Sequence, residues 1–463
     1  MAMIGKAGLG FIQLIILARV LVPADFGLMA IVVAVIGFIQ IFKDMGVSNA
    51  IIHHQDITHK QLSSLYWLNV SAGGVLMLLT IIASPFLASF YQEPLLQPLL
   101  VLVSITFLTS ALGQQLTVVA EKNLNFSVLA KIELASASMG FLVVVIWVWL
   151  SPTVTGLVAG LIASSGLMTM LSWRFLANGW RPLARLDFTE IRHFLCFGGF
   201  TMADSFVNTF NRQADVFIGG RLLSIEALGV YSLPRDINLR LASAINPIIT
   251  RVGLPVMAKA QNDVPMLKNI YLKTLRMAAS VNFPLYLAVA VFAPEIVMLL
   301  FGEQWNESIP LLRIFAVWGL LRSNGNPIGS LIYANGRADL SFKWNMAMFF
   351  IIGPLIWFSS QWGSMGVALA LLGMQVIFFI PGWYFLVRPL CNAGLWEYTL
   401  NIFIPLIASI IACMIAYLSV YFISDLVIRL VMGLVIGGLV YMLVSRTVNK
   451  EWTDSMWDLV LKR

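Results

Sequence analysis

The stretch FTMADSFVNTFNRQADVFIGGRLLSIEALG, residues 200–229, decides how this chain is read. Most of it is apolar enough for hydrocarbon, yet Asp204, Asn208, Asn211, Arg212 and Asp215 sit inside it. Their spacing of i, i+4, i+7, i+8 and i+11 puts all five on one side of an α-helix. A charge turned toward lipid costs at least ~3 kcal/mol, so the stripe must face protein or a water-filled cavity. An ion pair between Arg212 and Asp215 with Asn208 beside it would use only part of the stripe. Five polar residues suit a cavity wall better.

Composition agrees with a membrane setting. The 463 residues are 59% hydrophobic and 11% charged, against ~45–50% and ~25% for a soluble domain. Apolar runs able to cross a ~30 Å hydrocarbon core fall at 3–20, 27–43, 65–90, 95–119, 132–150, 154–173, 194–220, 228–250, 270–300, 309–334, 344–360, 365–387, 400–421 and 427–445. The expectation is an all-α polytopic membrane protein with about fourteen transmembrane helices. The first run starts at once and no small-x-small site follows it, so no cleavable signal peptide is expected.

Charge in the loops orients the spans. About twenty lysines and arginines, from Lys43 through Arg181 and Arg276 to Arg463, fall on one set of loops and the tail, against Arg19, Arg221 and Arg429 on the other. Both termini are therefore expected in the cytoplasm. This bias also explains the net charge of +7 without nucleic acid.

A repeat organises the spans. RVLVPADFGL at 19–28 and RLLSIEALGV at 221–230 each join the first two helices of a six-helix run. Two six-helix bundles related by a parallel repeat follow, with an axis along the membrane normal. The expected parts are an N-terminal lobe at 1–173, a cytoplasmic linker at 174–193, a C-terminal lobe at 194–387, and helices thirteen and fourteen with the tail at 388–463.

The second half concentrates the ionisable residues. Counted inward at ~1.5 Å per residue, Arg240 and Arg322 lie about 18 Å deep and Lys6 about 20 Å, with Arg212 and Arg235 nearer the outer end. The interior is net positive, and guanidinium forks suit phosphate or carboxylate. Lys6, Arg212, Arg235, Arg240 and Arg322 are thus the candidates for an anion-binding cavity. Asp236 and Arg240 can pair at i+4, whereas Arg322 and Lys6 have no acid within a turn of their own helices. Asp204 and Asp215 are the candidates for ion coupling. Interior prolines at Pro234, Pro247, Pro284, Pro327 and Pro354 can each kink a helix or free a carbonyl.

Catalysis fits poorly. There is no Gly-rich phosphate loop, no Ser/His/Asp arrangement and no long outer loop. Cys196, Cys391 and Cys413 lack paired spacing, and three of the four histidines share one loop, so neither a metal site nor a disulfide framework is expected. The chain reads as a transporter without cofactor rather than an enzyme.

Two segments resemble a known family. Arg19 through Ala30, then Asp44-Met45-Gly46 and Asn49 to Ile52, are similar to the opening of bacterial Wzx-like polysaccharide flippases. Asn211 to Asp215, Ile218 to Leu223, Leu228 to Tyr231 and Pro247 resemble the seventh and eighth helices of their colanic-acid-exporter-like branch. Members often begin with a longer cytoplasmic segment than the one here, where Met1 stands almost within the first helix. The resemblance implies the multidrug/oligosaccharidyl-lipid/polysaccharide exporter fold, alternately open to each side. It implies a monomer in the bacterial inner membrane that moves undecaprenyl-pyrophosphate-linked oligosaccharide to the outer leaflet, for a polymerase and other assembly proteins. The alternative is a cation-coupled small-molecule or drug exporter of the same superfamily.

Overall fold

The computed structural model describes residues 2–44, 51, 57–183, 188–450 and 452–453, and every described element is helical. The main helices are α1 (Ala2–Val20), α2 (Pro23–Asp44), α3 (His59–Tyr91), α4 (Leu96–Lys122), α5 (Phe126–Leu150), α6 (Thr155–Phe175), α7 (Phe188–Leu222) and α8 (Ile225–Lys259). They continue with α9 (Val264–Val291), α10 (Ser308–Ser323), α11 (Gly325–Ala334), α12 (Ala338–Ser359), α13 (Gly363–Ile377), α14 (Leu395–Val420) and α15 (Leu426–Val448). Short α, π and 3-10 turns cover Ala293–Trp305 and Phe379–Cys391.

Among the described residues nine spans are long and apolar enough to cross a membrane, fewer than the fourteen runs expected. Four of the five differences have a visible cause, the fifth being α1. The run 309–334 is broken into α10 and α11, of 16 and 10 residues. Helices α12 and α13 read as one continuous 40-residue apolar stretch. The 35-residue helices α7 and α8 carry charge along their length. Outward faces are greasy, as lipid requires: Trp149 is 84% and Phe422 92% exposed, which a water-facing surface would not tolerate as part of such extensive patches.

The chain divides into two compact units, Met1–Gly229 with Met348–Trp357, and Val230–Ala347 with Phe358–Arg463. In the first, α3 packs on α4, α5 on α6, α4 on α6, α1 on α5 and α2 on α7. Helix α3 starts with a capping box: Thr58 Oγ1 accepts from Gln61 N, and Gln61 Oε1 accepts from Thr58 N. In the second, α9 is the core helix. Leu267, Tyr271, Leu275, Ala279, Phe283 and Tyr286 recur at helical spacing and are all buried on one face. Helices α10 and α14 close over α9, and α15 packs on α14.

The repeat seen in the sequence has a structural counterpart. Val20 ends α1 as Leu222 ends α7, and Pro23 starts α2 as Ile225 starts α8, all at one constant offset. The turns match too, since Leu21 N donates to Leu17 O and Leu223 N to Gly219 O. At the same offset Gly27 lies against the Ile225 carbonyl and Gly229 against the Pro23 carbonyl.

Interior prolines free a carbonyl four residues back, and at four of them a side chain takes it. Ser84 Oγ donates to Ile81 O below Pro85, and Ser308 Oγ to Val230 O below Pro234. Tyr441 OH donates to Ser280 O below Pro284, and Asn326 Nδ2 to Ser323 O below Pro327. The freed carbonyls are therefore satisfied in place, and Ser323, the last residue of α10, is the Pro327 case.

Candidate functional site

The structure places the expected residues in both units. Lys6, Asn208, Asn211, Arg212 and Asp215 belong to the first; Arg235, Arg240 and Arg322 belong to the second. The side chain of Asp204 lies outside the described residues.

In the first unit the stripe on α7 is graded. Asn208 and Arg212 are exposed, Asn211 is half-buried and Asp215 is 6% exposed. Helix α7 packs on α2 and α3. The repeat offset puts Gln13 on Asp215 and Lys6 on Asn208, so both first helices carry polar groups at matching positions. Lys6 is not left without an acid. Its Nζ lies 3.4 Å from Glu133 Oε2 on α5, and both side chains are at least one-third exposed. Reading along one helix could not show this, because the acid comes from a neighbour. Glu133 is the one acid within α5, and that was its only signal in the sequence.

Among the described residues of the second unit Arg235 is the most enclosed cation, 6% exposed. Its Nη1 lies 3.9 Å from Asp236 Oδ1. The i+4 pairing of Asp236 with Arg240 does not form; Arg240 is exposed and has no ion pair with a described residue. Arg322 is half-buried at the end of α10, with its guanidinium 4.6 Å from the Trp318 ring centroid. A cation on an aromatic face keeps its charge while its apolar side is covered. Beyond it, Asn324 stands at the α10/α11 break, 3% exposed, with neither amide atom hydrogen-bonded. Broken helices at membrane depth are where polar sites are built. The sequence reading missed Asn324 because the run 309–334 looked continuous.

Two more polar features escaped the sequence reading. In the first unit Thr109, Ser110 and Ser165 form a hydroxyl cluster between α4 and α6, with both serine–threonine and serine–serine oxygens 2.8 Å apart. Thr169 Oγ1 joins it by donating to Thr109 O at 2.6 Å. In the second unit, Glu295 is buried and lies 3.0 Å from Arg429 Nε, whose guanidinium also covers the Tyr417 ring. Both tie helices together. Each unit by itself offers cations and neutral hydrogen-bonding groups, which suit an anionic, hydroxyl-rich molecule.

Comparison with known proteins adds the lineage. Residues 16–310 match the family described as polysaccharide biosynthesis protein. The chain is 33% identical over 404 residues to the lipopolysaccharide biosynthesis protein WzxC of Escherichia coli strain K12, covering 87% of this chain and 82% of that one. It is 34% identical over 346 residues to the teichuronic acid biosynthesis protein TuaB of Bacillus subtilis strain 168, covering 74% and 72%. Among solved structures, the lipid II flippase MurJ in an inward closed conformation superposes with a TM-score of 0.79 at 14% identity, over 100% of this chain and 99% of that one. At that identity the likeness concerns the fold.

Proposed function

The chain belongs to the family of polysaccharide biosynthesis proteins, and from that premise we infer that it is a flippase for lipid-linked oligosaccharide, a transporter and not an enzyme. The observation that carries this is the identity, above 30% over most of the chain, to relatives named for the synthesis of sugar polymers as different as lipopolysaccharide and teichuronic acid. What such substrates share is an anionic, hydroxyl-rich head on an apolar tail. A membrane protein with cations on greasy helices suits that chemistry.

In finer detail, the substrate is an undecaprenyl-pyrophosphate-linked repeat unit carried from the cytoplasmic to the outer leaflet of the inner membrane by a monomer, and handed to a polymerase. The residues 1–173 and 194–387 act as two lobes joined by 174–193, with 388–463 appended and both termini in the cytoplasm. Lys6 and Arg212 from the first unit, and Arg235, Arg240 and Arg322 from the second, contact the head during translocation. Asn208 and Asn211 offer neutral hydrogen bonds. Asp204 and Asp215 are the groups proposed to exchange a coupling ion, Asp204 for preference, because Arg212 stands one turn from Asp215.

The test is export. A strain lacking the gene and making no surface polymer regains it when this chain is supplied, and lipid-linked oligosaccharide stops accumulating on the cytoplasmic side. Restoration of drug efflux instead, with no polymer, would sink the reading.

A further inference from the structure

The first unit holds a cavity of about 990 Å³ bounded by α2, α3, α7 and residues 353–357 of α12. Its walls are carbon, and much of the lining is aromatic: Phe38, Phe90, Phe210, Phe217 and Trp357. Phe38 meets Phe217 edge-on with ring centroids 5.6 Å apart, and Tyr91 OH donates to Phe217 O at 3.3 Å, so α2, α3 and α7 hold the wall in shape. Trp357 is 64% exposed, so the cavity is open along its side. Arg221 is the single charged residue that lines it, and its guanidinium stands 5.8 Å from the Phe90 ring centroid.

Dimensions and charge together say what fits. From Phe210 to Arg221 the groove follows α7 for about 16 Å, close to half of a ~30 Å hydrocarbon core and so to one leaflet. A long apolar chain with an anionic head would lie along carbon and end on a guanidinium. Water would gain nothing there, and a polar solute would find no partner along the walls.

We propose that this groove seats the tail of the translocated lipid on the outer-leaflet side, with Arg221 against its diphosphate. The assignment rests on the flippase reading above and on the expectation from loop charge that Arg221 lies at the outer end of α7. It gives the lipid tail a place of its own, apart from the cations assigned to the head during passage. It also assigns a use to the first charged residue of the second repeat motif.

The probe is undecaprenyl diphosphate without sugar, bound to the full chain in detergent and followed by native mass spectrometry, with phosphatidylglycerol as competitor. Arg221→Gln alters an exposed side chain and leaves the fold intact; it should weaken binding about tenfold, or ~1.4 kcal/mol. Arg221→Lys should keep most of the affinity. Leu87→Trp fills the groove and should weaken binding without touching the charge, and its melting temperature shows whether it folds. Phosphatidylglycerol should fail to displace the probe at equal concentration. Equal binding by wild type and Arg221→Gln, or equal displacement by phosphatidylglycerol, overturns the proposal. If wild type still restores polymer export in that case, the groove assignment falls alone; if wild type at normal abundance exports nothing, the flippase reading falls and takes the groove with it.

Discussion

Gly27 and Gly229 meet where α2 and α8 cross, each lying against the carbonyl four residues before the other, Ile225 O and Pro23 O respectively. A Cβ on Gly229 would also come within 3.2 Å of Gly27 N. The two contacts are reciprocal, i to j and its mate j to i, and both lie within the first unit. The two positions are the glycines of the two repeat motifs, so the motif is written in part to let two backbones touch.

Alanine at either glycine should therefore be costly. The obstacle is backbone on the facing helix, which cannot swing aside like a flexible side chain, and overpacking of this kind costs ~1–3 kcal/mol. Gly27→Ala and Gly229→Ala should each lower the melting temperature and the membrane abundance of the chain. Gly8 and Gly74 have open space where a Cβ would go, so alanine there should be neutral. Equal behaviour of all four variants would mean that the crossing is not tight.

That contact shows which parts of the fold were legible. The arginine and glycine of RVLVPADFGL and RLLSIEALGV stand in the sequence, and shared turn chemistry fixed shared helix ends at Val20 and Leu222. Polar spacing along α7 was legible for the same reason, since helical periodicity is local. Partners contributed by another helix were not. Glu133 beside Lys6 and the break at Asn324 depend on packing or on a single proline. The long apolar run at 309–334 hid that break, because hydropathy does not register where one carbonyl loses its donor.

The proline carbonyls give a second test. Tyr441→Phe removes the donor to Ser280 O below Pro284, leaving a buried acceptor unsatisfied at a cost of ~1–3 kcal/mol. In a Pro284→Ala background residue 284 regains an N–H that can serve the same carbonyl, so the loss from Tyr441→Phe should shrink. Thermal unfolding of the four proteins of this cycle measures it. A Tyr441→Phe penalty that is unchanged by Pro284→Ala would separate the hydroxyl from the kink.

Glu295 and Arg429 are the third case. The glutamate is 2% exposed, and its Oε1 lies 3.0 Å from Arg429 Nε. Breaking a buried pair by removing one partner costs ~3–5 kcal/mol, because the other charge is stranded. Arg429→Met should therefore destabilise the chain more than Arg429→Met combined with Glu295→Gln. The order of melting temperatures decides it, and a double variant no better than the single one would show that the pair is not the source of the loss.

Topology can be tested by labelling. The charge bias predicts that residues 174–193 face the cytoplasm and that 92–94, 151–153 and 302–308 face outward. Asn178 and Gly302 both sit in turns with positive φ, at 46° and 101°, away from helix interiors. A cysteine at Gly302 should react with an impermeant thiol reagent in intact spheroplasts, and one at Asn178 only after lysis. Of the three cysteines, Cys391 and Cys413 are buried, and Cys196, whose side chain lies outside the described residues, is replaced by serine in both variants. Equal labelling at both sites before lysis would remove the proposed orientation.

The last prediction concerns the cations. Arg322 is half-buried on Trp318, and Arg212 is exposed on the polar side of α7. Either charge could act as a diffuse positive field or as a bidentate fork, and lysine separates the two. If only the field matters, Arg322→Lys keeps much of the export while Arg322→Ala loses it. If the fork matters, lysine fails nearly as badly as alanine. The stacking favours partial function for lysine, because part of the guanidinium plane is already committed to Trp318, which leaves less of it for a planar match to phosphate. A variable glycan also suits a field better than one rigid geometry. The measurement is polymer export in a deletion strain, with membrane abundance of each variant matched. Normal export by the Arg212→Ala/Arg322→Ala double variant at normal abundance would remove both residues from substrate binding.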